Sequence, residues 1–186
     1  MKCPLCEHKV LQSVNLEQGP VALECESCGG RWIRSFHYWK WREHHGKSLP
    51  EKPSTEGLET TVSDTAQAKI CPECGHILSR YPVGHETAFS LDRCGHCGGM
   101  WFDRNEWDVL ENRNLHDDVH MIFSTVWQAQ VRREDHRKAV EQLRVKMFGD
   151  ADYAKLQSIR EWIRNHPLSH EIRAFLLDDD HPQPGA

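Results

Sequence analysis

The sequence predicts a small α+β fold in two parts. Two β-hairpins come first, each pinned by cysteines and followed by a short helix. An all-α region built on one long, heptad-patterned helix comes last. Three observations predict this. Cys71-Pro72-Glu73-Cys74 is followed, nineteen residues on, by Cys94-Gly95-His96-Cys97, and the same device stands earlier as Cys3-x-x-Cys6 and Cys25-x-x-Cys28 with eighteen residues between. The chain is polar, 38% apolar and 27% charged over 186 residues, which suits mini-domains plus helices better than one large core. From Leu115 onward apolar residues recur by fours and threes, the spacing of a helix with one sticky seam.

Eight cysteines in two quartets, none left over, point to metal. Each Cys-x-x-Cys knuckle aims two thiolates at one spot, and the hairpin between knuckles brings the pairs together. Zn²⁺ takes four thiolates tetrahedrally at roughly 2.3 Å, leaving no position for water or substrate. Cys3, Cys6, Cys25 and Cys28 form one expected site, and Cys71, Cys74, Cys94 and Cys97 the other, for two structural zinc ions per chain. Ribbons this small need the metal to fold, with apparent binding free energies of about 10–16 kcal/mol in zinc peptides. A disulfide framework is the alternative. It fits less well, because Met1-Lys2 runs straight into the first ligand with no signal-peptide pattern, and the expected compartment is the cytoplasm. No apolar stretch approaches the ~20 residues of a membrane span. The formal charge of −5 becomes −9 once eight thiolates and two Zn²⁺ are counted, a poor overall field for a phosphate backbone.

In chain order, residues 1–46 are expected to hold the first ribbon and its exit helix. Val10-Leu11 and Val21-Ala22-Leu23 read as strands around a turn at Gln18-Gly19-Pro20. Glu7 sits where the knuckle turn prefers glycine, so strain is expected there. A basic and aromatic run from Arg31 to Lys47 follows, in which Arg31, Arg34, Lys40 and Arg42 could pair phosphates and the aromatics stack bases; the plainer reading is that the rings cover the ribbon core. Residues 47–69, with Pro50, Pro53 and Gly57, read as a flexible linker, so the two ribbons need not share an orientation. Residues 70–112 hold the second ribbon. Its exit helix is marked by Asp103 and Glu106 as a capping box and by Phe102 and Trp107 as a hydrophobic staple, echoed in the first repeat by Ile33 and Trp39 with Arg34 in place of the aspartate.

Residues 113–177 are expected to be helical: one rod over about 115–148, then helices over about 151–165 and 170–177, capped by Asp150 and Ser169, before an acidic tail at 178–186. The rod's seam comprises Leu115, Val119, Ile122, Val126, Val140, Leu143 and Met147, interrupted by Arg133 and His136. Such a seam must be covered, by the chain's own later helices or by a second copy.

Leu91-Asp92-Arg93-Cys94, Cys97-Gly98-Gly99 and Trp101-Phe102-Asp103-Arg104, with Glu106 and the Cys-Pro-x-Cys-Gly knuckle at 71–75, resemble the TFIIB-type zinc-ribbon family of small bacterial proteins. The match runs over about 70–110, more loosely over 2–33, where Glu7 and Arg34 depart from it. The resemblance implies zinc on both quartets and, by analogy of name alone, a link to transcription.

With every thiolate on zinc, no cysteine remains as a nucleophile. No phosphate loop or triad is present, and no small-molecule substrate is suggested. His116 and His120 have the i, i+4 spacing of a helical metal pair but lack a third ligand, and His8 and His76 recur two residues after a cysteine, within reach of a zinc shell. The leading expectation is a non-enzymatic zinc-binding adaptor that meets proteins, or itself, through ribbons and helices. A nucleic-acid binder using 31–47 is the alternative, and a zinc-release redox sensor the lesser one.

Overall fold

In the computed structural model, residues 1–17, 19–45, 61–84 and 87–178 are described. The chain divides into two units, Met1–Arg132 and Arg133–Ala186.

The first unit is built on one six-stranded antiparallel sheet. Its strands are β1 (Gln12–Asn15), β2 (Val21–Glu24), β3 (Arg31–Ile33), β4 (Leu78–Pro82), β5 (Ser90–Cys94) and β6 (Met100–Phe102), in the order β1-β2-β3-β6-β5-β4. Each ribbon supplies three strands, and the ribbons join where β3 pairs with β6 in the register Arg31↔Phe102, Trp32↔Trp101, Ile33↔Met100. The expectation of two independently oriented mini-domains gives way here to a shared sheet. The expected linker divides accordingly: 47–60 lies outside the described residues, whereas 61–69 is strapped across the second ribbon. Asn105 donates to the Thr61 carbonyl, and the Thr65 amide and hydroxyl both donate to Asp103 Oδ2, at 2.8 and 2.7 Å.

Strand alternation sorts the side chains onto two faces. Trp32 and Trp101 project with Cys3, Cys25, Cys71, Cys94, Leu11 and Leu78 into a metal-side cluster. Ile33, Met100 and Phe102 project to the other face, into a core closed by helices α1 (Ser35–His45), α2 (Glu106–Asn112) and α3 (Val119–Ile122). Tyr38 and Trp41 of α1 and Trp107 and Leu110 of α2 fill it. The indoles explain the second glycine after each second knuckle, while the first, Gly29 or Gly98, sits at φ +70 or +73. A Cβ at Gly30 would stand 2.1 Å from the Trp101 ring, and one at Gly99 would stand 2.1 Å from the Trp32 ring. Gly30 and Gly99 are thus each the seat of the other ribbon's tryptophan.

The halves correspond closely but not fully. Tyr38, not Trp39, takes the place of Trp107: it lies five residues after Ile33, as Trp107 lies five after Phe102, and it is buried while Trp39 is exposed. The Phe102–Trp107 contact forms edge-to-face with centroids 5.3 Å apart. Only half of the expected capping box exists. Glu106 Oε2 accepts from the Asp103 amide at 2.8 Å, but Asp103's own carboxylate is taken by Thr65 and by Trp101 Nε1 at 2.7 Å, and Asn105 at φ +70 is the N-cap. Arg34 stands where Asp103 does, so Trp32 Nε1 is buried without an acceptor among the described residues.

The expected continuous rod over 115–148 is interrupted. A Schellman-type turn ends α2, with Asn114 at φ +54 and the Leu115 amide bonded to the Leu110 carbonyl. The long helix, α4 (Thr125–Phe148), starts only after Ser124, whose Oγ accepts from the Trp127 amide at 3.2 Å as an N-cap. The seam therefore divides. Val119 and Ile122 are buried and Leu115 packs on the core, but Val126 is 75% exposed and Val131 instead meets Gly84. Trp127 Nε1 and Gln128 Nε2 donate to the Val83 and Pro82 carbonyls, fixing this part of α4 to the sheet.

The second unit holds the rest of α4 with α5 (Asp150–Asn165) and α6 (Ser169–Leu176). Gly149 at φ +76 and Leu168 are their N-caps, one residue before the capping positions expected from sequence. Gln157 Nε2 reaches Glu141 Oε1 at 3.5 Å, so α5 turns back beside α4. Val140 is only partly covered, and Leu143 and Met147 remain exposed, so fold-back does not satisfy the seam. The acidic tail beyond Asp178 lies outside the described residues.

Replacing Gly30 or Gly99 by Ala should break the indole seat. Urea unfolding of the zinc-loaded protein is expected to show a loss of about 2 kcal/mol or more for either variant, as overpacking against a fixed ring costs roughly 1–3 kcal/mol and adds to the lost pairing. An Ala substitution at Gly95, where a Cβ meets nothing within 4 Å, should leave stability nearly unchanged.

Candidate metal centres

Each quartet is assembled by two knuckles and the strands between them. In the first, the Cys6 amide points at Cys3 Sγ at 3.3 Å; in the second, the Cys97 amide points at Cys94 Sγ at 3.5 Å. The knuckle turn closes through Glu7 N to Cys3 O in one half and Gly75 N to Cys71 O in the other. Glu7 accordingly sits at φ +48 and Gly75 at φ +76, placing the expected strain at Glu7. The first knuckle is one residue longer: Cys3 N bonds Lys9 O, whereas Cys71 N bonds His76 O. His8 therefore does not occupy the place of His76.

The sulfurs stand where a tetrahedron needs them. Cys3–Cys28, Cys71–Cys97 and Cys74–Cys94 are separated by 3.7, 3.6 and 3.4 Å, and within each quartet all four sulfurs lie within 4.8 Å of one another. A zinc–sulfur bond of ~2.3 Å implies tetrahedral edges of about 3.8 Å. A disulfide needs ~2.05 Å. Both sites fit a structural zinc ion with a shell closed by four thiolates.

Burial penalises the thiolates of Cys3, Cys25, Cys28, Cys71, Cys94 and Cys97, but not with equal result. At Cys25 the amides of Cys28 and Ser27, with the neighbouring thiols, outweigh it and bring the thiol down to about 7; at Cys94 the amides of Cys97 and His96 do the same, again to about 7. Burial wins at Cys3, Cys28, Cys71 and Cys97, whose thiols are raised. Cys25 and Cys94 are thus prepared to ionise before Cys3, Cys28, Cys71 and Cys97, which need a cation's charge to follow.

The other candidates from sequence separate. Arg31 donates to Glu24 at 2.7 Å and Asp108 at 2.9 Å, Arg34 lies 3.8 Å from Glu73, and Arg42 donates to the Asp117 carbonyl at 3.1 Å and lies 3.9 Å from Asp118. Lys40 alone of the four has no acidic partner among the described residues, standing over the Phe36 ring at 5.9 Å. Three of the four cations are engaged within the chain rather than gathered as a phosphate surface. His116 and His120 do not share a helical face: His116 precedes α3 and is buried beside Trp41 and Trp107, while His120 meets Trp39 and the Tyr38 hydroxyl. His76 stacks on His96 at 4.4 Å, with its Nδ1 at the Cys74 carbonyl and not at a sulfur.

Sequence reading passed over a buried ionic cluster beside the second cage. Lys69, with no side-chain exposure, donates to Asp92 at 2.7 Å and to the Thr65 carbonyl at 3.0 Å, and lies 3.5 Å from Asp103. Glu106 adjoins it. Burial, reinforced by Asp103, Asp64 and Asp92, pushes its carboxyl up to about 9, so it is protonated at neutral pH. Lys69 looked like the end of a linker, and only Asp92 and Asp103, within the family motif, hinted at a partner.

Against known proteins, the family model described as transcription factor zinc-finger, the TFIIB-type zinc ribbon, matches residues 70–113. No curated protein and no solved structure matches the chain. The first quartet, at residues 3–28, is carried by the geometry of its sulfurs.

Acid should strip the metal. Protons compete with zinc for sulfur, so chelator competition is expected to show apparent affinity falling with pH, about tenfold per unit for each proton displaced. Glu106 should make stability pH-dependent in its own right. A carboxyl with a raised folded value stabilises the fold below its unfolded value of about 4.3, and that contribution is lost as pH rises towards 9. Denaturant titrations of zinc-loaded Glu106→Gln should show a flatter profile and higher stability than wild type at pH 8, by at most a few kcal/mol.

Proposed function

We propose that the chain is a non-enzymatic, cytoplasmic zinc-binding adaptor, in which the double ribbon is a rigid scaffold and protein contacts are its work. The observation that carries this reading is the pair of four-sulfur cages carried by one sheet. Their coordination is complete with protein ligands, so they supply shape rather than an open metal position. Among what the scaffold offers outward are apolar side chains: Phe36 and Trp39 on α1 are exposed, as are Val10, Ile70 and Ile77 around the knuckles. The TFIIB-type ribbon makes the transcription machinery the partner class to examine first.

A nucleic-acid reading draws support from one feature, the exposed Phe36 and Trp39 rings with Lys40 and Arg42 beside them. It is opposed by the intrachain pairing of Arg31, Arg34 and Arg42 and by the chain's acidic total.

Affinity capture from native lysate, with and without nuclease, separates the two. The adaptor reading expects defined proteins retained after nuclease and reduced at least several-fold by Phe36→Ala/Trp39→Ala. A catch that vanishes with nuclease, or direct oligonucleotide binding that falls steeply with salt, would replace it with the nucleic-acid reading.

A further inference from the structure

The second unit is too small and too bare to be covered by itself. Over Arg133–Ala186 the buried apolar side chains are Tyr153 and Ile163, each still 9% exposed, among the described residues. Against these, Leu143, Met147, Phe148, Leu156, Ile159, Trp162, Leu168, Phe175, Leu176 and Leu177 are 44–81% exposed. The pattern is ordered: Leu156, Ile159 and Trp162 follow one another by threes along α5, and Leu143 and Met147 keep helical spacing on α4. A helical piece of this size rarely stabilises itself even with a good core.

We infer that a second copy of this chain covers that surface, joining the helical units into a two-fold dimer that carries four zinc cages. The inference rests on reading the helical unit as an interaction module, and it names the partner. Area is the first argument. At the ~150–250 Å² that large apolar side chains present, these ten expose on the order of 1,000 Å² per copy, and a standard interface needs about 800 Å² from each partner. Charge is the second. Residues 133–186 hold nine Lys/Arg against ten Asp/Glu, so two copies meet with almost no net repulsion, and no marked excess of either sign selects an oppositely charged stranger. The ribbon unit differs, with fourteen Lys/Arg against eighteen Asp/Glu before the thiolates are counted, so two ribbon units repel and the contact is confined to the helices. An identical patch on each copy closes as a two-fold pair and leaves no open end.

Sedimentation equilibrium of the zinc-loaded full chain, over about 1–100 µM, reads this directly. The expected mass is twice the 21.6 kDa of one chain. Ile159→Glu/Trp162→Glu, at side chains already half exposed, should weaken association roughly 100-fold or more while zinc content and helical circular dichroism hold. Phe36→Ala/Trp39→Ala should leave the mass unchanged. Hydrogen exchange on the wild-type chain supplies a test without substitution: protection over 140–177 should rise with concentration. A single-chain mass across the range, or a dimer indifferent to the α5 substitutions with exchange at 140–177 independent of concentration, would overturn the dimer. Nuclease-resistant capture by such a monomer would leave the adaptor reading standing.

Discussion

The structure of the ribbon unit depends on one reciprocal contact, the meeting of Trp32 and Trp101 across the β3–β6 pairing. Trp101 lies over Gly30 and Trp32 over Gly99, and each ring backs onto a sulfur cage. A thirty-residue ribbon held by zinc has little interior of its own. By exchanging indoles, two such ribbons make a common interior on both faces of a common sheet: cysteines and indoles on one, the α1 and α2 aromatics on the other. The metal fixes each knuckle, and the exchanged rings fix the knuckles to each other.

The pairing is isologous in all but a few side chains, and those few set the asymmetry. Asp103 satisfies the indole of Trp101 and anchors the strap at Thr65. Its counterpart Arg34 reaches instead toward Glu73 in the other half's knuckle. The strap, with Lys69 buried between Asp92 and Asp103, crosses the second ribbon. A buried ion pair of this kind does little for net stability but strongly penalises any arrangement that leaves one member alone, so it specifies where residues 61–69 must lie.

Much of this was legible in the sequence. The cysteine spacing gave both cages, because four thiolates at two fixed knuckles leave zinc few alternatives, and Glu7 showed its strain through the missing glycine. The joined sheet was not legible. Gly-Gly-x-Trp appears in both repeats, but a local pattern does not say that each tryptophan packs on the other repeat's glycines rather than its own. Alternation by fours and threes from Leu115 also misled. The core takes Val119 and Ile122 through a short helix, and Ser124 starts α4 with a cap that the run of apolar residues concealed. Periodicity records which side chains want cover, not whether the backbone between them is continuous.

The exchange of indoles also separates two meanings of a module. The stretch that resembles other proteins, residues 70–113, has its own metal ligands and its own helix. Lifted out, it would present a bare β6 edge and an unsheathed Trp101 to water, the kind of surface that recruits strands indiscriminately. What is recognisable alone is therefore not excisable alone, and the smallest transplantable piece of this chain is the twinned ribbon.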